Sequence, residues 1–112
     1  MKIHFMKLQN KPFQSIYNGQ KTIEMRLFDK KRKAIKRGDQ IKFTNISTGD
    51  TIVAEVVQIH KFDSFEELYR NFNKERLGYS KSEIASPTDM EKYYPQEEIK
   101  KYGVVGIEIK LL

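Results

Sequence analysis

Apolar residues recur with a period of two in several stretches of the chain, and each such stretch predicts a β-strand. Over residues 21–28, Ile23, Met25 and Leu27 alternate with Thr22, Glu24 and Arg26. Over residues 40–44, Ile41 and Phe43 face inward, and over 103–112 Val105, Ile107, Ile109 and Leu111 form one face. Residues 2–8 read as the first strand. Residues 51–60 carry apolar side chains at both parities, as expected of a central strand or of one bent around a closed barrel. Ser47-Thr48-Gly49-Asp50 supplies the hairpin turn before it.

Helical spacing interrupts this pattern. Pro12 suits a first helical turn, and Phe13, Ile16 and Tyr17 follow on one face before Gly19 ends the helix. The basic segment 29–37 predicts a short helix closed by Gly38-Asp39. Ser64 with Glu67 forms a capping box ahead of a stripe of Phe65, Leu68, Tyr69 and Phe72. After an irregular stretch, Ser86-Pro87 and Asp89 predict a further helix that carries Met90, Tyr93 and Tyr94 and stops at Pro95. Strands at both ends, others between and short helices outside indicate an α+β fold. The expected architecture is a small, mostly antiparallel β-barrel with short helices packed outside, forming one domain over residues 1–112.

Composition narrows the function. The chain has 112 residues, 38% hydrophobic and 32% charged, which fits a folded globular protein. With no cysteine there is no disulfide framework, thiolate zinc site or thiol nucleophile, which fits a reducing, cytoplasmic setting. The first seven residues read as strand rather than signal peptide, and no apolar run is long enough to span a bilayer, so no membrane partner is expected. The net charge of +6 is localised: residues 20–42 hold nine basic and three acidic side chains, the whole excess. Such a patch attracts phosphates, so RNA, a nucleoside or a nucleotide is the expected partner; a solubilising surface is the plainer account.

Next to that patch lies Gly19-Gln20-Lys21-Thr22-Ile23-Glu24-Met25-Arg26. Strand geometry puts Thr22, Glu24 and Arg26 on one face, a hydroxyl, a carboxylate and a guanidinium in a row. Glu24 can accept hydrogen bonds from the exocyclic amine of a base, and Arg26 can hold a phosphate or carbonyl in a fork. Lys21 has the wrong parity by strict counting and needs a turn or bulge to join them. An exposed ion-pair ladder is the competing account of the same residues.

This string resembles the G-x-K-x-x-E-x-R signature of the ASCH domain, a PUA-like barrel family. Gly38-Asp39-Gln40-Ile41-Lys42-Phe43 resembles the family's G-D-x-I-x-F strand, and Tyr94-Pro95 and Tyr102-Gly103-Val104-Val105-Gly106-Ile107 its C-terminal blocks. The resemblance implies a PUA-like barrel with a cleft, lined by Lys21, Glu24 and Arg26, that binds RNA. Gly19, Thr22, Arg37 and Tyr94 are the further ligand-binding candidates. One bacterial branch hydrolyses N4-acetylcytidine with a Lys, a Thr and a Glu. Lys21 matches that Lys, but Glu24 stands at the position of the Thr. The branch's Glu falls after the Ser64 helix, where Glu75 and Glu83 are the candidates. On this implied reading Lys21, Glu24 and Glu75 would be catalytic.

His4 and His60 are too few and too separated for a metal site, and single strand histidines are more often structural. No metal or cofactor is expected. Tyr93 and Tyr94 can stack a base or pack in the core. Three functions remain compatible with the sequence: an RNA- or nucleotide-binding module, a small amidohydrolase acting on a modified nucleoside, and an adaptor for an acidic protein partner.

Overall fold

A computed structural model describes residues 1–112. Its five strands are β1 (Ile3–Leu8), β2 (Ile23–Leu27), β3 (Gln40–Asn45), β4 (Thr51–Phe62) and β5 (Val104–Leu111). Four helices accompany them: α1 (Asn10–Tyr17), α2 (Lys30–Lys33), α3 (Phe65–Asn71) and α4 (Gln96–Tyr102). The sheet runs β1–β3–β4–β5–β2, antiparallel except for the β1–β3 pair. It curls into a half-barrel. The edges β1 and β2 form no ladder with each other, so a seam stays open between them.

The sheet has two buried faces, each with its own core. Inside the curl, Met6, Ile41, Phe43, Val56, Val105 and Ile107 pack with Phe13 and Ile16 of α1. On the other side of β2 and β5, Ile23, Met25, Leu27 and Val104 pack under Phe65 and Leu68 of α3, Ile99 of α4, and Leu77 and Met90 from two short 3-10 turns. β4 owes its mixed parity to its central position, as expected, and to a bulge rather than to closure of the barrel. It lies third of five, and a register shift between Val56 and Gln58 lets successive apolar residues change face.

Local signals placed most elements. Ser64 caps α3 by accepting from the Glu67 N–H at 3.2 Å, and Asp29 caps α2 by accepting from the Arg32 N–H at the same distance. The stretch after Ser86 differs from expectation: only the turn Pro87–Met90 is helical, and Pro95 begins a helix rather than ending one. Pro95 sits at the N-cap of α4, followed by Glu97 and Glu98 in the first turn and Lys100 and Lys101 in the last, the charge order the helix dipole favours. Leu111, expected on the inner face of β5, is 38% exposed because the curl ends before it.

Gly106 shows how closely α3 lies on β5. A Cβ there would stand 3.1 Å from Ile23 Cγ2 and 3.4 Å from Leu68 Cδ1. Gly106→Val is therefore expected to lower stability by about 2 kcal/mol through overpacking, measured by urea unfolding; unchanged stability would show that α3 can lift without cost.

Candidate ligand-binding cleft

The polar face of β2 points into the curl, not to solvent. In the β2–β5 register Glu24 lies opposite Ile107 and Arg26 opposite Val105, both core residues. Glu24 is 4% exposed and Lys21 7%. An exposed ladder is thus excluded: these charges are buried among the apolar residues of the curl.

Lys21 joins them because β2 begins only at Ile23. The preceding backbone is held irregularly, with Lys21 N–H donating to Ser15 O and Thr22 N–H to Arg76 O, both at 3.0 Å. Lys21 and Thr22 therefore escape strand parity. Lys21 Nζ reaches Glu24 Oε1 at 3.3 Å and donates to Leu77 O at 3.1 Å. Its stem passes 3.3 Å from where a Cβ of Gly78 would stand, and Gly78 has φ +104°. Thr22 turns away, its hydroxyl accepting from Arg76 Nε at 2.9 Å.

Arg26 completes the cluster. Its Nε and Nη2 both lie 2.7 Å from Glu24 Oε2, and Nη2 also donates across the seam to Lys7 O at 3.1 Å. Burial by itself would push the Glu24 carboxyl up. The charges and hydrogen bonds of Lys21 and Arg26 together outweigh it and hold the group below its ordinary value, so Glu24 is ionised. Arg26 is likewise desolvated, yet the Glu24 charge raises its pKa.

Over this cluster opens a cleft of about 490 Å³, placed where the barrel fails to close. A volume of this size suits a small-molecule ligand. One side is the end of β1 and the start of α1, with Lys7, Gln9 and Lys11; the floor is Lys21, Glu24, Met25 and Arg26. Ile109 N–H donates to Thr22 O and Phe28 N–H to Gly103 O. Ladder alternation then turns the N–H and C=O of Glu24 and Arg26 toward β5 and leaves those of Met25 facing the seam. Tyr79, Tyr93 and Tyr94 supply aromatic walls. The Tyr79 hydroxyl donates to Asp89 Oδ2 at 2.7 Å, and burial raises the pKa of Tyr94 although Arg26 and Arg32 pull it down.

Of the candidates from sequence, Lys21, Glu24, Arg26 and Tyr94 meet in the cleft. Gly19, Thr22, Arg37 and Glu75 do not line it. Gly19 ends α1 at φ +84°, Arg37 is exposed in the turn before β3, and Glu75 lies in the 3-10 turn, whose chain offers the cleft Leu77 and Gly78 instead. Glu83, the other carboxylate considered, does line it and pairs with Lys11 at 2.7 Å. The basic run of α2 also stays outside; Arg32 pairs with Asp29 at 2.7 Å. Lys7, Lys11 and Lys92 are the cleft's outer cations instead, and no local pattern marks them, because the fold alone brings them together. Neither histidine lines the cleft: His4 contacts Asp39 at 2.8 Å and His60 contacts Glu108 at 2.9 Å. No group of three or more His, Asp or Glu side chains is placed to hold a metal, and no helix is long and apolar enough to cross a membrane.

The family model of the ASCH domain matches residues 6–112. The crystal structure of hypothetical protein PH0355 is 34% identical, with a TM-score of 0.83 over 100% of both chains. The solution structure of protein PF0455 from Pyrococcus furiosus is 35% identical, with a TM-score of 0.72 over 100% of this chain and 98% of that one. The ASCH protein of Zymomonas mobilis, at 14% identity, has a TM-score of 0.65 over 96% of this chain and 66% of its own, a likeness of fold alone. No curated protein matches in sequence.

Proposed function

The chain belongs to the ASCH domain family, and from that premise we propose that its cleft binds one base of an RNA or of a nucleotide. One observation carries this: an ionised, buried carboxylate, Glu24, stands between two cations at the floor of a cleft walled by tyrosines.

The hydrogen-bonding capacity left over defines the ligand. A carboxylate offers about four lone-pair sites; Arg26 Nε takes one by a hydrogen bond, while Lys21 Nζ and Arg26 Nη2 lie at ion-pair distance. The carboxylate keeps lone pairs that can accept an N–H of a ligand. Lys21 keeps protons beyond the one given to Leu77 O, and Arg26 keeps guanidinium protons beyond those given to Glu24 and Lys7 O. An acceptor beside spare donors complements a base edge that sets an N–H next to a carbonyl or ring nitrogen. All four bases present such an edge: cytosine and adenine through an exocyclic amine, guanine through its amine and ring N–H, and uracil through its ring N–H beside two carbonyls. Tyrosine rings beside the slot offer stacking, which every base accepts.

Titration of the four ribonucleosides and of a short single-stranded RNA at low salt tests this. Purine riboside, which is adenosine without its amine, is titrated beside them and is expected to bind at least about tenfold more weakly than adenosine, the usual effect of leaving a buried polar group unpaired. Saturable binding of none of these ligands rejects the function, and equal affinity for purine riboside and adenosine rejects the role of Glu24.

A second reading, hydrolysis of an amide on a modified base, has one feature in its favour: Glu83 adds a further carboxylate to the cleft that holds Lys21. Release of cytidine from N4-acetylcytidine, lost in Lys21→Ala, would support it, and no release by the intact protein rejects that substrate.

A further inference from the structure

Charge at the cleft does not balance. Five cations line it (Lys7, Lys11, Lys21, Arg26 and Lys92) against three carboxylates, Glu24, Glu83 and Asp89. At the floor, Lys21 and Arg26 share Glu24. Farther out, Lys11 takes Glu83, while Asp89 accepts from a neutral tyrosine hydroxyl. Lys7 and Lys92 have no carboxylate within ion-pair distance; Lys92 Nζ lies instead 5.2 Å from the centroid of the Tyr93 ring. The lining carries an excess of two positive charges, and the unpaired ones are outside the base-sized floor.

The Lys11–Glu83 contact is the one that can be exchanged. The Lys11 side chain is 73% exposed and that of Glu83 35%, so the pair is screened and contributes little to stability. Glu83 does not depend on Lys11 for its position, because its carboxylate also accepts the Ser80 N–H at 2.7 Å. A phosphate ester carries up to two negative charges and three acceptor oxygens, against one charge on the carboxylate. With further ammonium groups beside it, a phosphate ester can therefore compete with Glu83 for Lys11.

We propose that the cleft takes its base as a phosphate ester: Lys7 and Lys92, joined by Lys11 as it leaves Glu83, hold the phosphate, and Glu83 occupies Lys11 when none is bound. This rests on the base-binding function proposed above and adds the ligand's second half. Ammonium groups suit it, since they meet phosphate oxygens as point charges without fixing one orientation. The same chemistry is offered by the terminal phosphate of a nucleotide and by an internal phosphodiester of RNA.

The test compares adenosine, adenosine 5′-monophosphate and the dinucleoside phosphate of adenosine by calorimetry at low and high salt. The monophosphate is expected to bind about tenfold more tightly than the nucleoside at low salt, a ratio that falls as salt rises. Lys7→Ala and Lys11→Ala should each shrink that ratio about threefold. Glu83→Gln, which can still accept the Ser80 N–H, should enlarge it about threefold by freeing Lys11. If the dinucleoside phosphate shows the gain and the lysine dependence while the monophosphate does not, an internal phosphodiester is the source. Nucleoside binding with a phosphate ratio near one, unmoved by all three substitutions, overturns the phosphate site and leaves base binding standing. Binding of neither nucleoside nor nucleotide overturns base binding itself, and this proposal with it.

Discussion

Replacing Glu24 by alanine is expected to lower stability by about 3 kcal/mol, the lower end of the cost of breaking a buried ion pair by removing one partner, and to abolish ligand binding. The loss is large because Lys21 and Arg26, 7% and 15% exposed, would be left as two unpaired cations among apolar residues. Against a typical total of about 5–15 kcal/mol, urea unfolding would detect it readily. Replacing the set together, Lys21→Met, Glu24→Leu and Arg26→Met, separates the two effects. With no charge left to strand, much of the stability should return, whereas binding should not. Recovery of both would show that the cluster only holds the fold, and full stability of Glu24→Ala alone would show that the cluster is not buried. Acid acts in the same sense. Glu24 has a lowered pKa in the folded state, so its contribution is present above the unfolded value of 4.5 and is lost as pH falls through the folded value.

The second large effect is expected at the far end of the same curl. Asp39 accepts from His4 Nε2 at 2.8 Å, from the Lys2 N–H at 3.1 Å and from the Lys36 N–H at 3.0 Å. It therefore pins the start of β1 to the start of β3, in the one parallel pair of the sheet. Parallel strands cannot be joined by a tight turn. Here the connection runs through α1, β2 and α2, and this side chain helps to set the register. Asp39→Ala should cost about 2–3 kcal/mol, as two backbone donors and an imidazole lose their acceptor. It should also weaken ligand binding, because Lys7, on the same strand, lines the cleft.

The His4 hydrogen bond first, then the backbone N–H of Lys2, lowers the Asp39 pKa from 3.8 to about 2. The stabilisation is thus complete above about pH 4 and fades as pH falls toward 2. Urea unfolding of both proteins at pH 7, 4 and 2 should show a gap that narrows only below pH 4. A gap that stays constant down to pH 2 would mean that the carboxylate is not the group responsible.

Much of this molecule is legible in its sequence. Period-two alternation located β2, β3 and β5, and the Ser64 cap located α3, because each is set by neighbours a few residues apart. The α4 segment was not legible, since Pro95 can equally follow one helix or open another, and only the packing of Ile99 under β2 and β5 selects the second. Lys21 shows the same limit inside the motif. Strand counting puts it opposite Glu24, and contacts with Ser15 and Arg76, from distant parts of the chain, release it from that count.

What the sequence by itself determined was the α+β class, the family signature and the placing of Glu24 and Arg26 on one strand face. What only the tertiary structure decided was which side of that face is covered, and by what. Alternation assigns a side chain to a face but carries no information about the layer that packs on it. The curl of the sheet buried Glu24, and the seam left between β1 and β2 opened a cleft above it. Folding then set Lys7, Lys11 and Lys92 around that opening, while the basic run that dominates the sequence came to lie outside.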